Sequence, residues 1–192
     1  EANNSRGRGG AGLFCRGNVS LVESVVAHNT AYSAGGGISV RGSMHVTSSI
    51  IAFNTAGDLY GGGIWPDLAR ITVSNSIIWA NQAPQGNQIG LYSWSGIMTG
   101  GARGTGSSGN TVKTPTTTLS ISYTDFEGGP EDIYVYGDPD YFELNWGNGN
   151  IDADPCFVEP GDPGDVTNDF YVLGDYHLKS QAARWDPNSA SW

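Results

Sequence analysis

Apolar residues come in short runs of alternating spacing, and the runs recur. Leu13, Cys15, Val19, Leu21 and Val25-Val26 are separated by polar or glycine positions, and the pattern returns at Ile38, Val40, Met44, Val46 and Ile50-Ile51. Alternation with period two marks a strand with one buried face. The copies lie 25 residues apart: Gly12-Leu13-Phe14-Cys15-Arg16-Gly17 matches Gly37-Ile38-Ser39-Val40-Arg41-Gly42, and Asn29-Thr30-Ala31 matches Asn54-Thr55-Ala56. A third copy runs from Gly61-Gly62-Gly63-Ile64 through Ile71, Val73 and Ile77-Ile78 to Asn81. A fourth starts at Gln88-Ile89, is interrupted by a Gly/Ser/Thr-rich insertion at 93–115, and resumes at Leu119-Ser120-Ile121 to end at Phe126. A fifth starts at Asp132-Ile133-Tyr134-Val135-Tyr136 and is expected to rejoin at Ile151 and Cys156-Phe157.

Three short strands and three turns per ~25 residues describe one coil of a parallel β-helix, a solenoid in which each coil stacks on the next. The expected fold is therefore all-β, with about five coils. Residues 1–160 supply the coils, and 161–192 form an acidic segment that closes the solenoid or leads out of it. A leucine-rich repeat shares this period but needs a leucine grid, and the apolar positions here are Val and Ile. Asn29, Asn54 and Asn81 fall at one turn in three successive copies, where stacked amides hydrogen-bond from coil to coil. The Gly-Gly-Gly starts lack the following helix and Lys-Ser/Thr of a phosphate loop and are read as tight corners.

The register also sorts the outward positions. One column reads Phe14, Ser39, Trp65, Gly90 and Tyr134, and the next reads Arg16, Arg41, Asp67, Tyr92 and Tyr136. Both columns should face solvent if Leu13, Cys15, Ile38 and Val40 face inward. Aromatic rings stack on the apolar faces of sugars, and guanidinium forks pair with carboxylates of acidic sugars. Phe14, Arg16, Arg41, Trp65, Asp67, Tyr92, Tyr134 and Tyr136 are thus the candidate carbohydrate-binding set. A strand's ordinary preference for aromatic residues is the plainer account of the same columns.

Composition sharpens the picture. Glycine makes up 29 of 192 residues and charged residues only 15 %, against ~25 % in ordinary domains, which disfavours an all-helical chain. The net charge of −10 argues against nucleic acid as a partner. Residues 1–120 hold seven bases and four acids, net +3, whereas 121–192 hold two bases and fifteen acids, net −13. Asp152 and Asp154, with Asp162, Asp165 and Asp169, make calcium the candidate cofactor, since hard cations take carboxylate and carbonyl oxygens. Their spacing is not that of an EF-hand, and turn-forming Asp among Gly and Pro is the alternative. Cys15 and Cys156 fall on apolar register positions and are read as small buried hydrophobes rather than a bridge. His28, His45 and His177 show no metal spacing. No apolar run approaches the ~18 residues of a membrane span. Glu1-Ala2-Asn3-Asn4 opens on a turn-like stretch, and flanking coils or domains of a longer parent chain are expected partners.

Gly35-Gly36-Gly37-Ile38 followed by Ser49-Ile50-Ile51-Ala52-Phe53-Asn54-Thr55-Ala56 resembles the repeat of bacterial right-handed parallel β-helix proteins of the pectin lyase-like superfamily, and is similar to polymorphic outer-membrane protein repeats. Ser120 to Gly129, Gly149 to Val158 and Asp175-Tyr176-His177-Leu178 resemble the closing coils of large secreted bacterial β-helix proteins. The resemblance implies a right-handed solenoid and a secreted or cell-surface location. It covers about residues 10–180 and speaks to fold more than to activity. The family's pectate-lyase pattern of spaced Asp ligands with an Arg-x-Pro-x-x-Arg block is missing, as are the paired-Asp, His-Gly and Arg-x-Lys blocks of polygalacturonases. Arg41, Asp67 and Asp58 are the remaining catalytic candidates, Asp58 and Asp67 forming the one plausible carboxylate pair before residue 120. The expectation is a module that recognises polysaccharide or a cell-surface glycan without catalysis. A fragment of a polysaccharide lyase or glycoside hydrolase, and a structural stalk, are the alternatives.

Overall fold

The computed structural model describes residues 3–5, 10–93, 117–161 and 174–178. After β1 (Asn4–Ser5), the first coil holds β2 (Leu13–Val22), β3 (Val25–Ala27) and β4 (Thr30–Ala31). The second holds β5 (Ile38–Thr47), β6 (Ile50–Ala52) and β7 (Thr55–Ala56). The third holds β8 (Ile64–Pro66), β9 (Arg70–Ser74) and β10 (Ile77–Trp79), and the fourth β11 (Ile89–Ser93), β12 (Thr117–Ser122) and β13 (Asp125–Phe126). The fifth contributes β14 (Ile133–Gly137) and β15 (Phe142–Trp146), and the chain then forms β16 (Phe157–Glu159) and β17 (Asp175–Leu178).

All pairings between coils are parallel and in the register the repeats dictate. Leu13 pairs with Ile38, Ile38 with Ile64, Ile64 with Ile89, and Ile89 with Ile133. The first face therefore stacks five strands deep. The path between its two ends makes about four turns, so the expectation of five coils counts strand levels rather than turns. The second face stacks β3, β6, β10 and β13, and the third stacks β1, β4 and β7.

Inward Ile, Val and Leu columns make the core: Ile38, Ile64 and Ile89, then Met44, Ile71 and Leu119, then Ile51, Ile78 and Phe126 are fully or almost fully buried. Burial of such a side chain contributes about 1.5–3 kcal/mol. Between first and second faces the chain turns through left-handed residues in each of the first four coils, Glu23, Ser48, Asn75 and Tyr123, and between second and third faces through His28, Phe53, Ala80 and Gly128. A non-glycine residue there costs roughly 1–2 kcal/mol, and polar ladders beside each corner offset it. Ser24 N–H donates to Ser49 Oγ at 3.1 Å and Ser49 N–H to Ser76 Oγ at 3.2 Å.

The Asn column is the stronger ladder. Asn3 Nδ2 donates to Asn29 Oδ1 at 3.1 Å, Asn29 Nδ2 to Asn54 Oδ1 at 2.9 Å, and Asn54 Nδ2 to Asn81 Oδ1 at 2.9 Å. Asn81 Nδ2 donates to Gln88 Oε1 at 2.7 Å, and Gln88 Nε2 to Glu127 Oε2 at 2.6 Å. The amides point one way and end on a carboxylate, so each bond polarises the next. Gly37 lies against this ladder: a Cβ there would stand 2.7 Å from Gly63 O and 2.9 Å from Asn54 Nδ2, which is why the triple-glycine starts admit no side chain.

Three expectations are corrected. The fifth coil is completed by β15, whose Leu144 and Trp146 stack on Leu119 and Ile121, and Ile151 follows by bridging Asp125. Cys156-Phe157 does not rejoin the coil. It turns out to the side, and β16 pairs antiparallel with β17. Phe157 and Tyr176 then pack on the second-face wall beside Ala27, Ala52 and Phe53. Cys156 is consequently exposed, with a left-handed φ of 50°, while Cys15 is half-buried; both are free. His45 is exposed, as its place between Met44 and Val46 requires, and His28 stacks on Phe53 with ring centroids 5.2 Å apart. Of the insertion at 93–115, all but Ser93 lies outside the described residues. Its return is fixed beside its departure, because Thr117 Oγ1 donates to Tyr92 O at 3.0 Å.

Candidate functional site

The outward side chains of β2, β5 and β8 line a groove of about 460 Å³ with Phe14, Arg16, Ser39, Arg41, Trp65 and Asp67 on its walls. Strand alternation puts them there, since the neighbours Leu13, Cys15, Ile38, Val40 and Ile64 turn into the core. Phe14 is 56 % exposed, and the Arg16 guanidinium carbon lies 5.3 Å from its ring centroid, a cation–π contact at the mouth of the groove. Arg41 Nε donates to Asp67 Oδ2 at 3.0 Å, and Arg41 Nη2 reaches the same oxygen. Arg41 stays largely exposed in this pair, whereas Asp67 is mostly covered. The pair joins the second coil to the third. Trp65, opposite Ser39 in the neighbouring strand, lies half-buried in the same groove with its Nε1 enclosed and without a hydrogen-bond partner among the described residues.

The same face continues into tyrosines. Tyr92 and Tyr136 stack with centroids 5.6 Å apart, and Tyr60 stacks on Tyr136 at 5.1 Å and on Tyr134 at 5.2 Å. Burial, followed by the neighbouring Tyr136 and Tyr134, pushes the Tyr60 hydroxyl above its ordinary value. Tyr60 comes from the turn before the third coil, not from a face strand. Sequence periodicity gave no place to it. The available signal was Gly90, a vacancy in a column otherwise carrying Trp65 and Tyr134.

The structure thus brings together Phe14, Arg16, Arg41, Trp65 and Asp67, and beside them Tyr92, Tyr134 and Tyr136. It corrects the outward column at two places: Ser39 is only 2 % exposed, and Gly90 is buried. Asp58 lies exposed in the turn after β7 and does not line the groove.

A second, polar hollow of about 420 Å³ opens where the amide ladder ends, with Asn87, Gln88, Glu127 and Asp132 in its wall. Its carboxylates hold backbone. Glu127 Oε2 accepts from Ala80 N–H at 2.7 Å, and Asp132 Oδ2 from Gln88 N–H at 2.9 Å. Burial raises the Asp132 carboxyl above the usual range, against the lowering effect of the donors from Gln88 and Asn87.

Of the calcium candidates, Asp162, Asp165 and Asp169 lie outside the described residues. Asp152 and Asp154 are exposed near Asp125. Asp154 Oδ1 accepts from Cys156 N–H and Asp125 Oδ1 from Ala153 N–H. Among the described residues no group of three or more His, Cys, Asp or Glu side chains converges as a metal site. The described carboxylates do not form a calcium cage. No helix among the described residues is long and apolar enough to cross a membrane. Comparison with protein-family models, with curated proteins and with solved structures gives no match, so the functional reading rests on the geometry of this one face.

Proposed function

We propose that this chain is a non-catalytic recognition module for an acidic polysaccharide or cell-surface glycan, built on a solenoid of the pectin lyase-like kind and working outside the cell or on its surface. One observation carries the reading: two arginines, a tryptophan, a phenylalanine and a run of stacked tyrosines line a single continuous face across the coils. Guanidinium groups suit uronate or sulfate groups, and ring faces and edges suit the C–H faces of sugars. A repeating surface matches a repeating ligand. The pairing of Asp67 with Arg41, and the position of Asp58 away from the groove, favour binding over hydrolysis, which needs two carboxylates ~5–9.5 Å apart across a bond.

The test is titration with pectate, alginate, hyaluronan and chondroitin sulfate, following tryptophan fluorescence and heat, with ultraviolet absorbance and reducing ends recorded in parallel. Saturable binding, weakened by Arg41→Ala and by Tyr136→Ala, without product formation, is expected. Absence of binding to every acidic glycan overturns the reading. Turnover that EDTA abolishes replaces it with a lyase.

A further inference from the structure

We propose that the tyrosine stack is a site of oxidative cross-linking, at which a one-electron oxidant joins Tyr92 to Tyr136 as dityrosine and staples the fourth coil to the fifth. The inference does not depend on the glycan reading.

The geometry of the stack carries it. Tyr92 in β11 and Tyr136 in β14 are register partners, with Gly90 opposite Tyr134. Residues opposite one another in neighbouring strands point to the same side at a spacing of ~4.8 Å. The two rings stack with centroids 5.6 Å apart and planes 27° apart. Tyr60 stacks on Tyr136 at 5.1 Å and 23° and on Tyr134 at 5.2 Å and 22°. Four phenols thus form one contiguous set, and Tyr136 stacks on two of the others. Tyr136 is 45 % exposed, so an oxidant in solution reaches the set. Exposure alone would select other residues. Tyr32 and Tyr123 are each 63 % exposed, yet neither has an aromatic ring partner among the described residues.

The chemistry follows from the contact. Loss of one electron and the hydroxyl proton turns a tyrosine into a phenoxyl radical, with unpaired spin on the two ring carbons beside the oxygen-bearing carbon. Two such radicals form a Cε–Cε bond, and each ring then passes the hydrogen of its bonded Cε to oxygen, which restores two phenols. The pair gives up two electrons and two protons in all. Hydrogen peroxide, used by a haem peroxidase, takes up both and leaves as two waters. Radicals on separate chains must meet before they decay. Tyr92 and Tyr136 are already in contact, and held geometry replaces the bimolecular encounter. Tyr60 is the lesser partner. It is clamped between Tyr134 and Tyr136, and burial together with those neighbours makes its hydroxyl hold its proton more tightly. The link closes the chain between Tyr92 and Tyr136 into a covalent loop, in a molecule whose two cysteines are free.

The test treats the dilute chain with a haem peroxidase and a stoichiometric amount of hydrogen peroxide, followed by thiol reduction to remove any disulfide. The expected product is a monomer two hydrogens lighter, with dityrosine fluorescence, a yield independent of protein concentration, and a cross-linked peptide pair carrying Tyr92 and Tyr136. Tyr92→Phe and Tyr136→Phe keep a ring in the stack but form no phenoxyl radical, and each should cut the yield several-fold. Tyr32→Phe combined with Tyr123→Phe should leave it unchanged. Circular dichroism checks the fold of each variant, and if a variant unfolds, the peptide map of the parent chain decides. Absence of dityrosine, a product found only as covalent dimers, a link from Tyr136 to Tyr60 instead of Tyr92, or an undiminished yield in folded Tyr92→Phe would each overturn the proposal.

Discussion

Tyr60 occupies the space that Gly90 leaves open. A Cβ on Gly90 would stand 2.5 Å from Tyr60 Cβ and 2.5 Å from Gly61 N. The glycine thus lets a tyrosine from the preceding turn lie between Tyr134 and Tyr136 and complete the aromatic run. Gly90→Ala is expected to destabilise the chain by about 1–3 kcal/mol, the usual range for overpacking, measured by urea unfolding. In a Tyr60→Ala background the same change should cost less but not nothing, because the Gly61 contact remains. An equal cost in both backgrounds would separate Gly90 from the tyrosine stack.

Glu127 terminates the amide ladder, and the ladder's direction makes its two ends unequal. Glu127→Ala strands the Gln88 amide and the Ala80 N–H, both of which need an acceptor. Stranding a buried donor costs about 1–3 kcal/mol, and Glu127→Gln, which keeps one acceptor, should cost less. Asn54 is 0 % exposed, accepts from Asn29 N–H and Nδ2, and donates to Val26 O and Asn81 Oδ1. Asn54→Ala is therefore expected to be the more damaging substitution. A smaller loss of stability for Asn54→Ala than for Glu127→Ala would show that the amides act singly.

Much of this architecture is legible in the repeat. The offset of 25 residues placed Leu13 under Ile38 and Arg16 under Arg41, and the Asn column was readable as structural, because a solenoid repeats its contacts with its sequence. Three things broke the repeat and were not legible. The ladder continues past Asn81 through Gln88 and Glu127, residues of different type at different offsets, chosen by reach rather than by position. β15 keeps the offset of 25, with Leu144 on Leu119 and Trp146 on Ile121, but Asp138 to Tyr141, with a Pro-initiated 3₁₀ turn, widen the gap from its own coil's first strand, so that Ile133 and Leu144 stand 11 residues apart where Ile38 and Met44 stand 6 apart. The β16–β17 hairpin meets the solenoid through His28 Nε2 and Pro160 O, separated by 132 residues in sequence, and periodicity carries no information about such a contact.

Acid should strengthen the last coils. Asp125 is raised chiefly by burial, opposed by the Ala153 N–H and reinforced by Asp152 and Asp154, and Asp132 is raised by burial. A carboxyl raised in the folded state binds its proton more tightly there than in the unfolded chain. Its ionised form weakens the fold above the raised value. That penalty disappears as pH falls through the raised value to the ordinary aspartate value of 3.8. Asp125→Asn with Asp132→Asn, which keep the acceptor oxygens, is expected to raise Tm at neutral pH and to flatten the gain on mild acidification. Thermal melts across that range check it, and a lower neutral Tm would mean that the charged hydrogen bonds outweigh burial.

The Arg41–Asp67 pair separates recognition from catalysis. Asp67 neutralises the guanidinium that the binding reading assigns to the ligand's acid group, so ligand and Asp67 compete for one cation. Asp67→Asn keeps an acceptor for Arg41 but removes the competing charge. If the groove binds acidic glycan, the affinity of this variant should rise several-fold, and the gain should shrink with added salt, as screened charges require. Arg41→Ala should weaken binding in either background. If Asp67 instead served as a proton carrier or cation ligand, Asp67→Asn would lose function while Arg41 remained in place. Isothermal titration of the two single variants and the double variant, at low and high salt, therefore tells the two roles apart by the sign of one change.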